Sequence, residues 1–114
     1  MLKRLMVGES FDSFLQNNRD KTVLVKFFTT WCGPCKSLQE NIKELLTELR
    51  ETEEKKEKLV VLEIDAEKFP DLVKRPEFNV CSVPTIFLFQ KGKILKKKSG
   101  SLSVPQLKDF LAIE

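Results

Sequence analysis

The sequence predicts an α/β protein: a mixed, mostly parallel five-stranded sheet flanked by four helices, in the order β-α-β-α-β-α-β-β-α. Three observations carry this. Two runs, TVLVKFF (Thr22–Phe28) and LVVLEID (Leu59–Asp65), are nearly continuously apolar and rich in β-branched residues, the pattern of strands covered on both faces. Segments with apolar residues at helical spacing alternate with the early strands, which implies parallel crossovers. The last two strands flank Lys91-Gly92, a hairpin signal, which implies an antiparallel end.

KRLMV (Lys3–Val7) reads as a short strand broken by Gly8. Phe11, Phe14 and Leu15 then fall at helical spacing, with Ser10 as N-cap. After Thr22–Phe28, Leu38, Ile42, Leu45, Leu46 and Leu49 mark one face of a long helix. Its tail, ELRETEEKKEK (Glu48–Lys58), is dense in mixed charge and reads as a solvated helix end and loop. Leu59–Asp65 is the next strand, and PDLVKR is a short helix bracketed by Pro70 and Pro76. TIFLFQ and KILKKK form the hairpin. Ser103 with Gln106 makes a capping box that opens a last helix with Val104, Leu107, Phe110 and Leu111 on its apolar face.

A chain of 114 residues that is 41% hydrophobic is expected to form one domain, residues 1–114, with a real core. The net charge of +3 implies no acidic partner by itself. MLKRLMVGESFDSF lacks an apolar stretch long enough for a signal peptide, and no run approaches the roughly 18 apolar residues of a membrane span. The expectation is a cytoplasmic protein, a monomer without membrane contact. Lys91, Lys93 and Lys96–Lys98 form a basic cluster. With no aromatic platform interleaved, it reads as an edge strand guarded against edge-to-edge pairing and not as a nucleic-acid site.

TTWCGPCKSL (Thr29–Leu38) raises the chemical question: metal, staple or redox. With three cysteines and no histidine the chain is short of zinc ligands. A bridge between Cys32 and Cys35 closes too small a loop to remove much unfolded-chain entropy. The pair lies where a central strand ends and a helix begins, the side of an open sheet where ligands bind. There the helix N-terminus favours a thiolate at Cys32, and a thiolate is what attacks a disulfide. Cys35, one turn on, can then attack the mixed disulfide and release reduced substrate. Pro34 suits the first helical turn, and Gly33 leaves the approach to Cys32 open.

WCGPCK (Trp31–Lys36) resembles the active-site signature of the thioredoxin family, and the resemblance covers nearly the whole chain. SVPT (Ser82–Thr85) is similar to the family's cis-proline segment. GSLSVPQLKDFL (Gly100–Leu111) is similar to its closing glycine and last helix. The resemblance implies the thioredoxin fold and a protein-disulfide reductase. Electrons would reside on Cys32, the nucleophile, and Cys35, the resolving thiol, with no cofactor and no metal bound. It also implies disulfide-containing protein substrates and a flavin-containing thioredoxin reductase as electron donor. Trp31 resembles the aromatic that flanks the site, against the competing reading of packing at the core edge. Val83 resembles the residue whose backbone pairs with substrate, Pro84 the cis-proline that shapes the groove and helps bar metal, and Gly100 a groove glycine.

Two departures from the family pattern stand out. The family usually carries a buried Asp in the strand before the motif, often faced by a Lys from the next strand. Here those positions are Lys26 and Val61. A buried unpaired ammonium is costly, so Lys26 is expected to pair with Glu63, which shares Val61's side of its strand, and the pair to tune the thiol pKa. The alternative is a Lys26 whose head reaches water. The second departure is Cys81, three residues before Pro84. It reads as an inert residue, a site of reversible oxidation, or an intermolecular disulfide. Insertions of a few residues after the active-site helix and before Cys81 would bear on partner choice. Rival functions are a more oxidising oxidase or isomerase, kept open by Lys26, a binding module that uses the fold for its surface, and a metal-bridged dimer.

Overall fold

The computed structural model describes residues 2–51 and 58–112. Its strands are β1 (Leu2–Arg4), β2 (Thr22–Phe28), β3 (Leu59–Asp65), β4 (Thr85–Gln90) and β5 (Lys93–Ser99). Its helices are α1 (Phe11–Asn17), α2 (Gly33–Arg50), α3 (Pro70–Val73) and α4 (Val104–Phe110). The strands form one sheet in the order β1-β3-β2-β4-β5. β3 runs parallel to β1 and β2, while β4 runs antiparallel to β2 and to β5. This is the mixed five-stranded sheet with four helices that the sequence predicts.

Strand parity divides the core. Val23, Val25 and Phe27 of β2 face one way, with Val60, Leu62 and Ile64 of β3 and Phe87 and Phe89 of β4. They pack with Phe11 of α1, Leu72 of α3 and Phe78. Leu24 of β2 faces the other way with Leu59, Val61, Ile86 and Leu88. These pack against Leu38, Ile42, Leu45 and Leu49 of α2 and Leu107 of α4. Because the faces alternate residue by residue, Lys26 and Phe28 fall on the α2 side of β2, as Glu63 and Asp65 do on β3. Phe78, 1% exposed, is the hub of the first face. Its ring meets those of Phe11, Phe27, Phe87 and Phe89 edge-on at centroid distances of 5.4, 5.2, 5.1 and 6.1 Å.

Three local features explain the boundaries. β1 is shorter than the run Lys3–Val7 suggests. Met6 N–H donates to Glu9 Oε1 and Glu9 N–H to Met6 O, so a turn through Gly8 (φ +97°) ends the strand and leaves Met6 and Val7 exposed. Lys91 and Gly92 both have positive φ (53° and 78°), the primed turn that matches strand twist in a two-residue hairpin. Ser103 and Gln106 make both bonds of the capping box at α4. The middle of the charged tail after α2, residues 52–57, lies outside the described residues.

β5 is an edge, and its lysines are exposed on it. Two of them also bind main chain: Lys96 Nζ donates to Phe110 O at 3.0 Å and Lys97 Nζ to Phe78 O at 3.1 Å. Arg75, after α3, makes a bidentate pair with Asp12 of α1 at 2.8 and 2.9 Å.

Phe78→Ala is expected to cost about 3–5 kcal/mol of unfolding free energy, measured by denaturant titration, because it leaves a cavity among four rings. The Arg75 guanidinium holds the Asp12 carboxyl below its usual range. The pair's contribution is therefore present above the ordinary Asp pKa and lost as pH falls through the depressed one. Arg75→Gln is expected to lower stability by no more than about 1 kcal/mol at pH 7, since Asp12 is largely exposed, and by progressively less as pH falls through the depressed Asp12 pKa, measured by denaturant titration across pH.

Candidate active site

β2 delivers the cysteine motif. It ends at Phe28, and α2 starts at Gly33, with Cys32 as its N-cap residue and Pro34 in its first turn. Cys35 N–H donates to Cys32 Sγ at 3.1 Å, one of the helix's otherwise free N–H groups. Cys32 and Cys35 are joined by a disulfide, with Cα atoms 5.2 Å apart. Both are buried, at 5% and 3% exposure, so direction separates them: Cys32 lines the surface groove and Cys35 does not. Gly33 also borders the groove, and a Cβ there would meet nothing within 4 Å.

The opposite wall is the loop before β4. The Val83–Pro84 peptide bond is cis. Val83 O lies 3.7 Å from Cys32 Sγ, and Val83 packs on the cluster of Phe28, Cys32 and Cys35. The groove between these walls has a volume of about 530 Å³ and is also lined by Trp31, Pro34, Val80, Cys81 and Ser82. Trp31 is 70% exposed, which removes the core-edge reading, and its indole N–H donates to Glu67 Oε1 at 3.0 Å. Pro84, read from the sequence as a groove residue, is buried and is not among the residues that line the groove. Gly100 is not among the groove-lining residues. Its N–H instead donates to Pro84 O at 2.9 Å, with φ at +93°, so it backs the wall from behind. Cys81 is a free, exposed thiol on the groove, 3.5 Å from Asn79 O.

Behind the disulfide lies a buried charge cluster. Lys26 and Glu63 are register partners across β2 and β3, 1% and 4% exposed, with Nζ 2.6 Å from Oε2. At that distance the ammonium donates to the carboxylate within an ion pair. Burial lowers the Lys26 pKa, and the Glu63 carboxylate opposes that fall. Arg4 of β1, level with Glu63 in register, reaches Glu63 Oε1 at 3.8 Å. Its guanidinium sits 4.7 Å from the centroid of the Phe28 ring and Lys26 Nζ sits 5.4 Å from it. Phe28 thus has two cations over its ring and packs with both cysteines. Arg4, Phe28 and Glu67 were not singled out from the sequence. Finding Arg4 needs the β1–β3 pairing, which three residues of strand do not announce.

Among the described residues, no three of His, Cys, Asp or Glu converge as metal ligands, and no helix is long and apolar enough to cross a membrane.

Residues 3–113 match the sequence model of the Thioredoxin family. The chain belongs to the thioredoxin family. It is 41% identical over 98 residues to Thioredoxin Y2, chloroplastic, of Arabidopsis thaliana, a match covering 86% of this chain and 53% of that one. It is 35% identical over 91 residues to the thioredoxin of Buchnera aphidicola, covering 80% and 76%. Among solved structures, the germline-specific thioredoxin Deadhead of Drosophila melanogaster superposes with a TM-score of 0.70 at 30% identity, covering 88% of this chain and 87% of that one. The thioredoxin fold follows from these matches. The chain spans about half the length of the Arabidopsis relative.

The expectation of a cytoplasmic protein is overturned here. Thioredoxins Y2 and Y1 of Arabidopsis and Thioredoxin Y of rice, all similar to this chain, are chloroplastic by name. The physical reason is that this fold and its disulfide chemistry serve more than one compartment.

Thiol titration of the native protein with an aromatic disulfide reagent is expected to find one fast-reacting thiol, Cys81, in the oxidised form. The reduced protein, with three cysteines in all, is expected to give three, the last only after unfolding.

Proposed function

We propose that this protein is a thiol–disulfide oxidoreductase of the thioredoxin type that reduces protein disulfides. The observation that carries this is the Cys32–Cys35 disulfide at the N-terminus of α2, facing a groove walled by the cis Val83–Pro84 loop. The step balances as exchange. The Cys32 thiolate attacks a sulfur of the substrate disulfide, the substrate's second sulfur leaves as thiolate, and a mixed disulfide forms. Cys35, losing its proton, attacks Cys32. The first substrate sulfur then leaves, two electrons have passed to substrate, and the Cys32–Cys35 bond is restored.

The helix N-terminus supports the thiolate at Cys32, since its free N–H groups and dipole favour negative charge. Trp31 and Val83 are read as the groove's contacts to substrate: Trp31 offers exposed apolar surface, and Val83 offers main chain beside the attacking sulfur. Gly33 and Pro34 keep the approach low, and Pro84 and Gly100 hold the opposite wall. The electron donor is read as a thioredoxin reductase. A relative from Mycobacterium leprae, 37% identical over 91 residues, is by name a bifunctional thioredoxin reductase/thioredoxin. The chain is read as one domain, because the family match spans residues 3–113, and a plastid setting is read from the chloroplastic relatives. One observation, the buried Lys26, favours a second reading in which the couple is more oxidising than that of a dedicated reductase.

Turnover of a disulfide-bonded protein with dithiothreitol as donor tests the proposal. Cys32→Ser is expected to lose at least about a hundredfold in rate, as loss of a nucleophile does. Cys35→Ser, mixed with substrate in the absence of dithiothreitol, is expected to accumulate a mixed disulfide with it, visible as a mass increase that later addition of reductant removes. Full activity in Cys32→Ser would refute the assignment.

A further inference from the structure

We propose that Lys26, Glu63 and Arg4 form a net-cationic cluster that sets the redox balance of the Cys32–Cys35 couple through charge. The inference rests on the reading of that pair as an exchange centre.

The geometry is specific. Two cations and one carboxylate meet where Lys26 and Glu63 are both buried, with Nζ–Oε2 at 2.6 Å and Arg4–Glu63 at 3.8 Å. Both cations lie over the Phe28 ring, and that ring packs on Cys32 and Cys35. The remaining charged groups facing Lys26 are few. Lys43 of α2 adds positive charge from the helix side. On β3, Asp65 stands opposite Phe28, and its Oδ1 accepts the Glu67 N–H at 2.9 Å. On β4 the register partner of Lys26 is the apolar Ile86.

Reduction of the disulfide by dithiothreitol at neutral pH breaks one S–S bond and makes another in the donor. It leaves a thiol at Cys35 and a thiolate at Cys32 and releases one proton. Negative charge therefore appears on the protein beside a cluster of formal charge +1. In a water-poor setting such a cluster favours the reduced form and the thiolate more than it would in solvent. Lys26, Glu63 and Arg4 do not line the groove. They are positioning residues that act on the sulfur pair through charge.

The test uses the full chain. The equilibrium constant for reduction by dithiothreitol is measured at pH 7 for wild type, Lys26→Met, Lys26→Met with Glu63→Gln, and Arg4→Gln. The pH profile of Cys32 alkylation is measured for each. Lys26→Met takes the cluster from +1 to 0. It is expected to lower the constant about tenfold, equivalent to about 30 mV toward a more reducing couple, and to move the alkylation profile to higher pH. The double variant keeps +1 on Arg4 and is expected to stay within about threefold of wild type. Arg4→Gln alters a half-exposed side chain outside the core. It is expected to fold in any case and to move the constant in the same direction as Lys26→Met by about two- to threefold. Equal constants in wild type and Arg4→Gln, or equal shifts in Lys26→Met and the double variant, overturn the proposal, since packing alone would not follow charge. A wild-type chain that does not exchange with dithiothreitol at all overturns the reductase reading itself. A wild type that exchanges while the constants ignore charge overturns only this inference.

Discussion

An ammonium and a carboxylate sealed in the middle of a sheet constrain the architecture around them. Lys26 and Glu63 stand opposite each other because β2 and β3 pair in one register. A slip of one residue would turn Lys26 into the face occupied by Phe27, Phe78 and Phe87 and leave Glu63 on the wrong side. A buried ion pair adds little net stability, because desolvation offsets attraction. Separating its members is expensive, of order 3–5 kcal/mol. The pair thus penalises wrong registers more than it rewards the right one. The correct register brings the ends of β2 and β3 together at Phe28 and Asp65. From there one chain segment turns into Cys32 and the other into Glu67, which holds Trp31.

The start of α2 combines structural and chemical work in one residue. A helix needs acceptors for its first N–H groups, and here the acceptor is sulfur. The atom that caps the helix backbone is also the one that faces the groove. In the reduced state the same N–H groups would meet a thiolate, which accepts more strongly than a neutral sulfur. Helix end and nucleophile therefore support each other, and neither weakens the other.

Most of the fold was legible because its strands are covered on both faces. Short, continuous apolar runs rich in β-branched residues suit a strand buried on both sides far better than a helix, and Thr22–Phe28 and Leu59–Asp65 carry the bounds read for them. The hairpin and the last helix were legible through local chemistry: Lys91-Gly92 for the turn, Ser103 and Gln106 for the cap. β1 was overread, because Met6 and Val7 are apolar without entering a core. Hydropathy cannot distinguish a strand from a turn closed by Glu9. At the site, the contact of Lys26 with Glu63 follows from strand parity once the two strands are known to be neighbours. The contact of Arg4 with both Glu63 and Phe28 does not, since it depends on which edge the short first strand joins. Gly100 shows the opposite limit. Its positive φ is readable in its identity, yet its place behind the groove wall is a matter of loop geometry.

Lys97 ties its ammonium to the carbonyls of Phe78 and Asn79, not to a carboxylate. A main-chain carbonyl is a neutral acceptor whose position is fixed by the fold. Unlike the Asp12–Arg75 clasp, this tether has no carboxylate on its acceptor side. From Asn79 the chain runs on to Cys81, Ser82 and Val83. The groove wall is therefore moored at its root by a side chain of the edge strand that grips main chain and not another side chain.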